Sequence, residues 1–125
     1  MNYSVNFYFP ESNLSRLTMR ELSVVMDAVT AARNAVNGLQ NQPRCTGGAL
    51  DEVEALQDSF NDCLELILQV AEAAKPTTLD EANVRAFIIL HHETTYPDGL
   101  SEVMGKAHLL HAEYLDLKAR IGDGQ

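Results

Sequence analysis

The first ten residues and the rest of the chain follow different periods. Tyr3, Val5, Phe7 and Phe9 alternate with Asn2, Ser4, Asn6 and Tyr8, a period of two that predicts a β-strand with one apolar face, closed by Pro10. A lone strand leaves backbone donors and acceptors unmatched, so it calls for a second segment or a second copy of the chain beside it. From Thr18 the spacing becomes helical. Leu22, Val25, Val29, Ala32 and Val36 recur at alternating intervals of three and four. Thr18 and Glu21 have the spacing of a capping box, and Gly38 is placed to take a left-handed C-terminal position with Leu39 packing back on the last turn. Residues 40–48, with Pro43, Gly47 and Gly48, read as a loop.

A second helix is predicted over about residues 50–74, where Val53, Leu56, Phe60, Cys63, Ile67, Val70 and Ala74 keep a heptad rhythm. Lys75 and Pro76 stop it, and Thr78 with Glu81 offers a capping box for a shorter third helix ending near His92. Residues 84–90 contain three β-branched side chains and are apolar on nearly every side, so they also fit a strand pairing with residues 3–9. The cap and the Leu79, Ala82, Ala86, Leu90 spacing favour the helix. Thr95 and Asp98 bracket Tyr96 and Pro97 in another cap-like start. A fourth helix then reads Leu100, Val103, Ala107, Leu110, Tyr114, Leu117, Ile121 and ends at Gly122. The expected fold is all-α: a helical bundle of three long helices and one short helix with a short N-terminal β-strand. It forms a single domain in which residues 1–10 are a strand or arm and residues 18–122 the bundle.

Composition narrows the partners. The 125 residues include 18 acidic and 9 basic side chains, for a net charge of -9, and 46% are apolar. A chain of this length buries roughly two-thirds of its unfolded surface without staples. The acidic balance argues against nucleic acid as a direct partner, which needs a surplus of lysine and arginine. The longest apolar run, residues 86–90, is far too short to span a membrane. Two cysteines distant in sequence, with no secretory apolar segment, point to a cytoplasmic protein without a disulfide framework.

The charge is also unevenly placed. Asp51, Glu54, Asp58, Asp62, Glu65 and Glu72 fall in one sector of the second helix, opposite Val53, Phe60 and Ile67. No lysine or arginine occurs between Cys45 and Ala74, whereas later helices can pair charges at i,i+4: Glu81 with Arg85, Glu102 with Lys106, Asp116 with Arg120. Such a stripe either keeps the protein soluble or docks a basic partner through a long-range, salt-sensitive field. At one carboxylate per ~5 Å of helix it is too sparse to imitate a duplex phosphate backbone, which carries one charge per about 1.7 Å.

Other candidate chemistry is thinner. His91 and His92 close the third helix, and His108 and His111 lie one turn apart on the fourth. If those helices fold back on one another, His92 and His108 are mismatched by roughly 10 Å, too far for one zinc ion. Cys63 belongs to the apolar seam and reads as a small hydrophobe. Cys45 lies in a loop after Arg44, with no local histidine to act as its base. Walker, Rossmann, nucleophile-elbow and HExxH patterns are all missing, so no enzyme and no cofactor is expected. Residues 86–90 and 3–9 present more apolar surface than a monomer easily covers, and a homodimer is expected to cover it.

In size, acidity and lack of catalytic motifs, the chain resembles, in general character, the small inhibitor and accessory proteins of phages and other mobile elements. That likeness covers composition and architecture alone; with the acidic face of the second helix it leads to the expectation of a non-enzymatic interaction module that masks a basic surface on its partner, with Asp58, Asp62 and Glu65 at the centre of the contact. The alternative is a homodimeric bundle that binds a small ligand or a metal through His92, His108, His111 and Tyr114.

Overall fold

Four long helices and one single-turn helix account for the regular structure of the described residues. The computed structural model describes residues 11–95 and 99–123, and these form α1 (Glu11–Leu14), α2 (Met19–Gln40), α3 (Gly47–Ala73), α4 (Leu79–Thr95) and α5 (Leu100–Asp123). No strand occurs among the described residues. The strand expected at residues 3–9 lies outside them.

The capping box at the start of α2 forms. Glu21 N–H donates to Thr18 Oγ1 at 3.1 Å, and the Thr18 N–H donates to the Glu21 carboxylate at 2.9 Å. That backbone N–H, and after it the Thr18 hydroxyl, hold the Glu21 carboxyl below its ordinary value. A depressed folded-state value means that this contribution is present at neutral pH and is lost as acid protonates Glu21. Thr18→Ala is expected to lower stability by about 1 kcal/mol, with Thr18→Ser retaining the cap. Thermal unfolding followed by circular dichroism checks the pair, and equal midpoints for Ala and Ser would show that the cap carries nothing.

Other ends depart from expectation. Gly38 is inside α2, which runs on to Gln40 and closes with the Asn41 N–H donating back to the Gly38 carbonyl at 3.4 Å and the Gln42 N–H to the Leu39 carbonyl at 3.1 Å. No left-handed residue is needed there, and the positive-φ glycines are instead Gly47 (φ 58°) and Gly99 (φ 146°), at the starts of α3 and α5. Gly47 lets α3 begin three residues before Leu50, directly after an extended Thr46. At α4, Thr78 Oγ1 accepts from the Glu81 N–H at 3.1 Å, but the Glu81 carboxylate accepts from the Thr77 N–H at 3.0 Å, so the reciprocal half of the box is displaced by one residue. Thr95 does not cap α5. It ends α4, its hydroxyl donating to the His91 carbonyl at 2.8 Å.

α2 and α3 form an antiparallel hairpin across residues 41–46, α4 lies against both, and α5 packs along α4. The core joins Leu22, Met26 and Val29 of α2, Cys63, Leu64, Ile67, Leu68 and Ala71 of α3, Ile88 and Ile89 of α4, and Leu110 of α5, with Leu14 of α1 added at one end. Residues 84–90 are helical, and the reason they are apolar all round is now plain: α2, α3 and α5 each take one side of α4. Phe87 is the exception, 55% exposed. The core is also lopsided. The buried residues of α3 begin only at Cys63, and beyond Val29 the only fully buried residue of α2 is Val36.

Candidate interaction surfaces

The six carboxylates predicted as one stripe are all exposed, but they are not equivalent. Asp51, Glu54, Asp58 and Asp62 lie on the half of α3 that precedes the core. Their spacing spreads four negative charges over ~17 Å of helix. Among the described residues no cation pairs with any of the four. Glu65 and Glu72 lie farther along and meet other helices: Glu65 is 3.3 Å from His92 Nε2 of α4, and Glu72 is 3.7 Å from Lys106 Nζ of α5. The open ridge is therefore four residues long, and the last two carboxylates face side chains of α4 and α5.

The cations that the sequence places in local i,i+4 pairs mostly reach across helices instead. Arg85 Nε donates to the Ala71 carbonyl at 2.7 Å, Nη2 to the Glu72 carbonyl at 3.0 Å, and Nη1 to Glu113 of α5 at 2.7 Å. Carbonyls in the last turn of a helix lack intrahelical partners, and a planar guanidinium can serve two of them at once. Glu81 is not free to compete, because the Thr77 backbone already holds it. Lys106 sits between Glu72 and Glu93. Of the three expected local pairs only Asp116–Arg120 forms, at 3.4 Å. A further link missed by local reasoning is Arg20–Asp80, which ties α2 to α4 with Nε at 3.0 Å. Asp80 raises the Arg20 pKa, first through that hydrogen bond and then through its charge.

The histidines do not converge. His91 stacks on Phe87 with ring centroids 5.9 Å apart. His92 faces Glu65 and a cavity of about 20 Å³ bounded by Met26, Thr30, Ile67 and Ile88, a volume that suits about one water. His108 and His111 are exposed on α5, and Tyr114 is half-buried. The larger concavity, about 500 Å³, is an open groove between the end of α3 and the last turns of α5. It contains neither Tyr114 nor any of the four histidines, and Arg85 and Glu113 within it are bonded to each other. Among the described residues no three His, Cys, Asp or Glu side chains are grouped as a metal set. Cys63 is buried in the core and Cys45 is half-buried in the loop, and neither forms a disulfide among the described residues. No described helix is long and apolar enough to cross a membrane.

The chain matches no family model, and no curated protein or solved structure matches it.

One surface was not anticipated. Leu100, Met104 and Leu115 of α5 are 76%, 62% and 50% exposed, although α5 packs its other side on the core through Leu110 and Leu117. Their spacing is legible in the sequence as a second stripe beside the predicted seam. Assigning Leu100 to that seam concealed it.

Proposed function

We propose that the protein is a non-enzymatic interaction module that docks a basic protein surface along the α3 ridge of Asp51, Glu54, Asp58 and Asp62. The observation that supports this reading most is the lack of an ion-pair partner for all four carboxylates among the described residues. Like charges aligned on one helix face repel, whereas Glu72, Asp80, Glu93, Glu113 and Asp116 each meet an arginine or a lysine, and Glu21 and Glu81 serve helix caps. A partner carrying lysine and arginine at similar spacing relieves that repulsion and gains a long-range attraction that speeds encounter. Masking such a surface is what an inhibitor or accessory protein does, and it needs neither catalytic group nor cofactor.

The test is capture from lysate of the source cells, comparing the wild type with Glu54→Lys/Asp58→Lys/Asp62→Lys, at about 0.1 M and about 1 M salt, where the screening length falls from ~10 Å to ~3 Å. The expected result is a basic protein held by the wild type at low salt, released at high salt and not bound by the variant, whose far-ultraviolet circular dichroism is unchanged. The same proteins captured by both forms would reduce the ridge to a solvated face.

A further inference from the structure

We infer that a second copy of this chain docks on the outer face of the α4–α5 hairpin, pairing α5 with α5 in antiparallel fashion. The inference does not depend on the acidic ridge. It begins with the second stripe of α5. At ~100° per residue, Leu100, Met104, His108, His111 and Leu115 occupy about 80° of arc, and the adjoining arc carries only Ser101, Gly105, Ala112 and Ala119. All nine are exposed.

The position of this stripe on the molecule follows from the contacts of α5. Lys106 and Glu113 mark the edge of α5 nearest α3, through Glu72 and Arg85, and the stripe lies on the opposite edge. Arg85 and His92 likewise mark the side of α4 that meets α3, and Phe87 lies away from it. The contacts Glu93–Lys106 and Arg85–Glu113 set the antiparallel register, which brings Phe87 level with His111. Phe87, Met104, His111 and Leu115 thus share one outward face.

Three properties of that face select a copy of the same chain as its occupant. The first is charge. A protein of net charge -9 repels its own copies over most of its surface, but between Leu100 and Ala119 the carboxylates Glu102, Glu113 and Asp116 all fall outside this arc, whose one ionic group is Lys118. The second is symmetry. A two-fold interface must be complementary to itself, and the stripe reads nearly the same in both directions about the midpoint of Ala107 and His108. An antiparallel pair sets Leu100 against the partner's Leu115 and Met104 against the partner's His111, while the small residues at 105, 112 and 119 permit close approach. The third is size. Helices of 17 and 24 residues, each ~10 Å wide, give a footprint of roughly 600 Å². The accessible surface over such a footprint is of the order of the ~800 Å² per partner found in stable interfaces.

Sedimentation equilibrium of the full chain at about 20 µM tests the inference. The wild type is expected at twice 13.8 kDa, Met104→Glu/Leu115→Glu at the monomer mass with unchanged helical content, and Leu109→Glu, a control on an exposed leucine outside the stripe, at the dimer mass. A monomeric wild type would overturn it, as when residues 1–10 of the same chain cover the face. A dimer that survives Met104→Glu/Leu115→Glu would also overturn it, because the copies would then meet elsewhere.

Discussion

Replacing Arg85 with alanine is expected to lower stability by about 2–4 kcal/mol, the loss typical of a nearly buried, multiply bonded cation. Its side chain is only 11% exposed. It donates to two carbonyls at the end of α3 and to Glu113 of α5, so one residue closes a helix terminus and fastens two other helices to it. Truncation removes the guanidinium donor from the Glu72 carbonyl and from the Ala71 carbonyl, which keeps only the Ala74 N–H at 3.3 Å, whereas Glu113, half in solvent, recovers water. For this reason the carbonyls carry most of the predicted loss, and Glu113→Gln is expected to cost less than about 1 kcal/mol. Arg85→Lys recovers only part, because a single ammonium does not reproduce the planar fork that reaches both carbonyls and the carboxylate. Urea unfolding of the three variants measures this order. An Arg85→Ala cost within about 0.5 kcal/mol, as at an ordinary surface site, would mean that the clamp is dispensable.

The role of Arg85 shows where local reading of the sequence stops. Its i,i+4 neighbour Glu81 is correctly spaced, yet Glu81 is held by Thr77 and the guanidinium turns to α3. Spacing along one helix ranks local partners, and it has no information about a helix-end carbonyl 14 residues upstream that a guanidinium can reach. The same limit applies to the six-residue acidic stripe. All six carboxylates were legible as one sector of α3, but which of them stay open depends on where His92 and Lys106 arrive from α4 and α5.

Features decided within one or two turns were legible. The Thr18–Glu21 box and the helical rhythm of α2, α3 and α5 needed no tertiary knowledge, because each is a local satisfaction of backbone groups or a repeating apolar face. The helix favoured for residues 84–90 also forms, and its apolar residues other than Phe87 turn toward the three helices that contact α4. The ends at Gly38 and Thr95 were misread because glycine and threonine have more than one use: Gly38 stays helical, and Thr95 bonds back to His91. On α5 the seam was read through Leu100, yet burial follows Leu110 and Leu117 and leaves Leu100 outside. A helix with two apolar stripes cannot reveal from spacing alone which one meets its own chain.

The second large effect is expected at Ile67, and it tests the uneven packing of α3. Ile67 and Leu56 belong to the same predicted seam, but Ile67 is 1% exposed and Leu56 only half-buried. Ile67 also borders the small cavity with Met26, Leu64 and Ile88, so Ile67→Ala enlarges an existing void that close-packed neighbours fill only in part. Its cost is expected at about 3–5 kcal/mol, against about 1 kcal/mol for Ile67→Val, and Leu56→Ala is expected at less than half the Ile67→Ala value. Denaturant unfolding of each variant gives the comparison, and equal costs at 56 and 67 would show that the distal hairpin is as tightly packed as the centre. The unequal result carries a consequence for the acidic ridge. Asp51, Glu54, Asp58 and Asp62 all lie on the thinly packed half of α3, where opening costs less than global unfolding. Amide exchange is accordingly expected to be faster over residues 50–60 than over residues 63–71. A carboxylate ridge on a compliant hairpin can adjust its spacing to a partner's cations while the α3–α4 core stays fixed, and reduced exchange over residues 50–60 in the complex would report that adjustment directly.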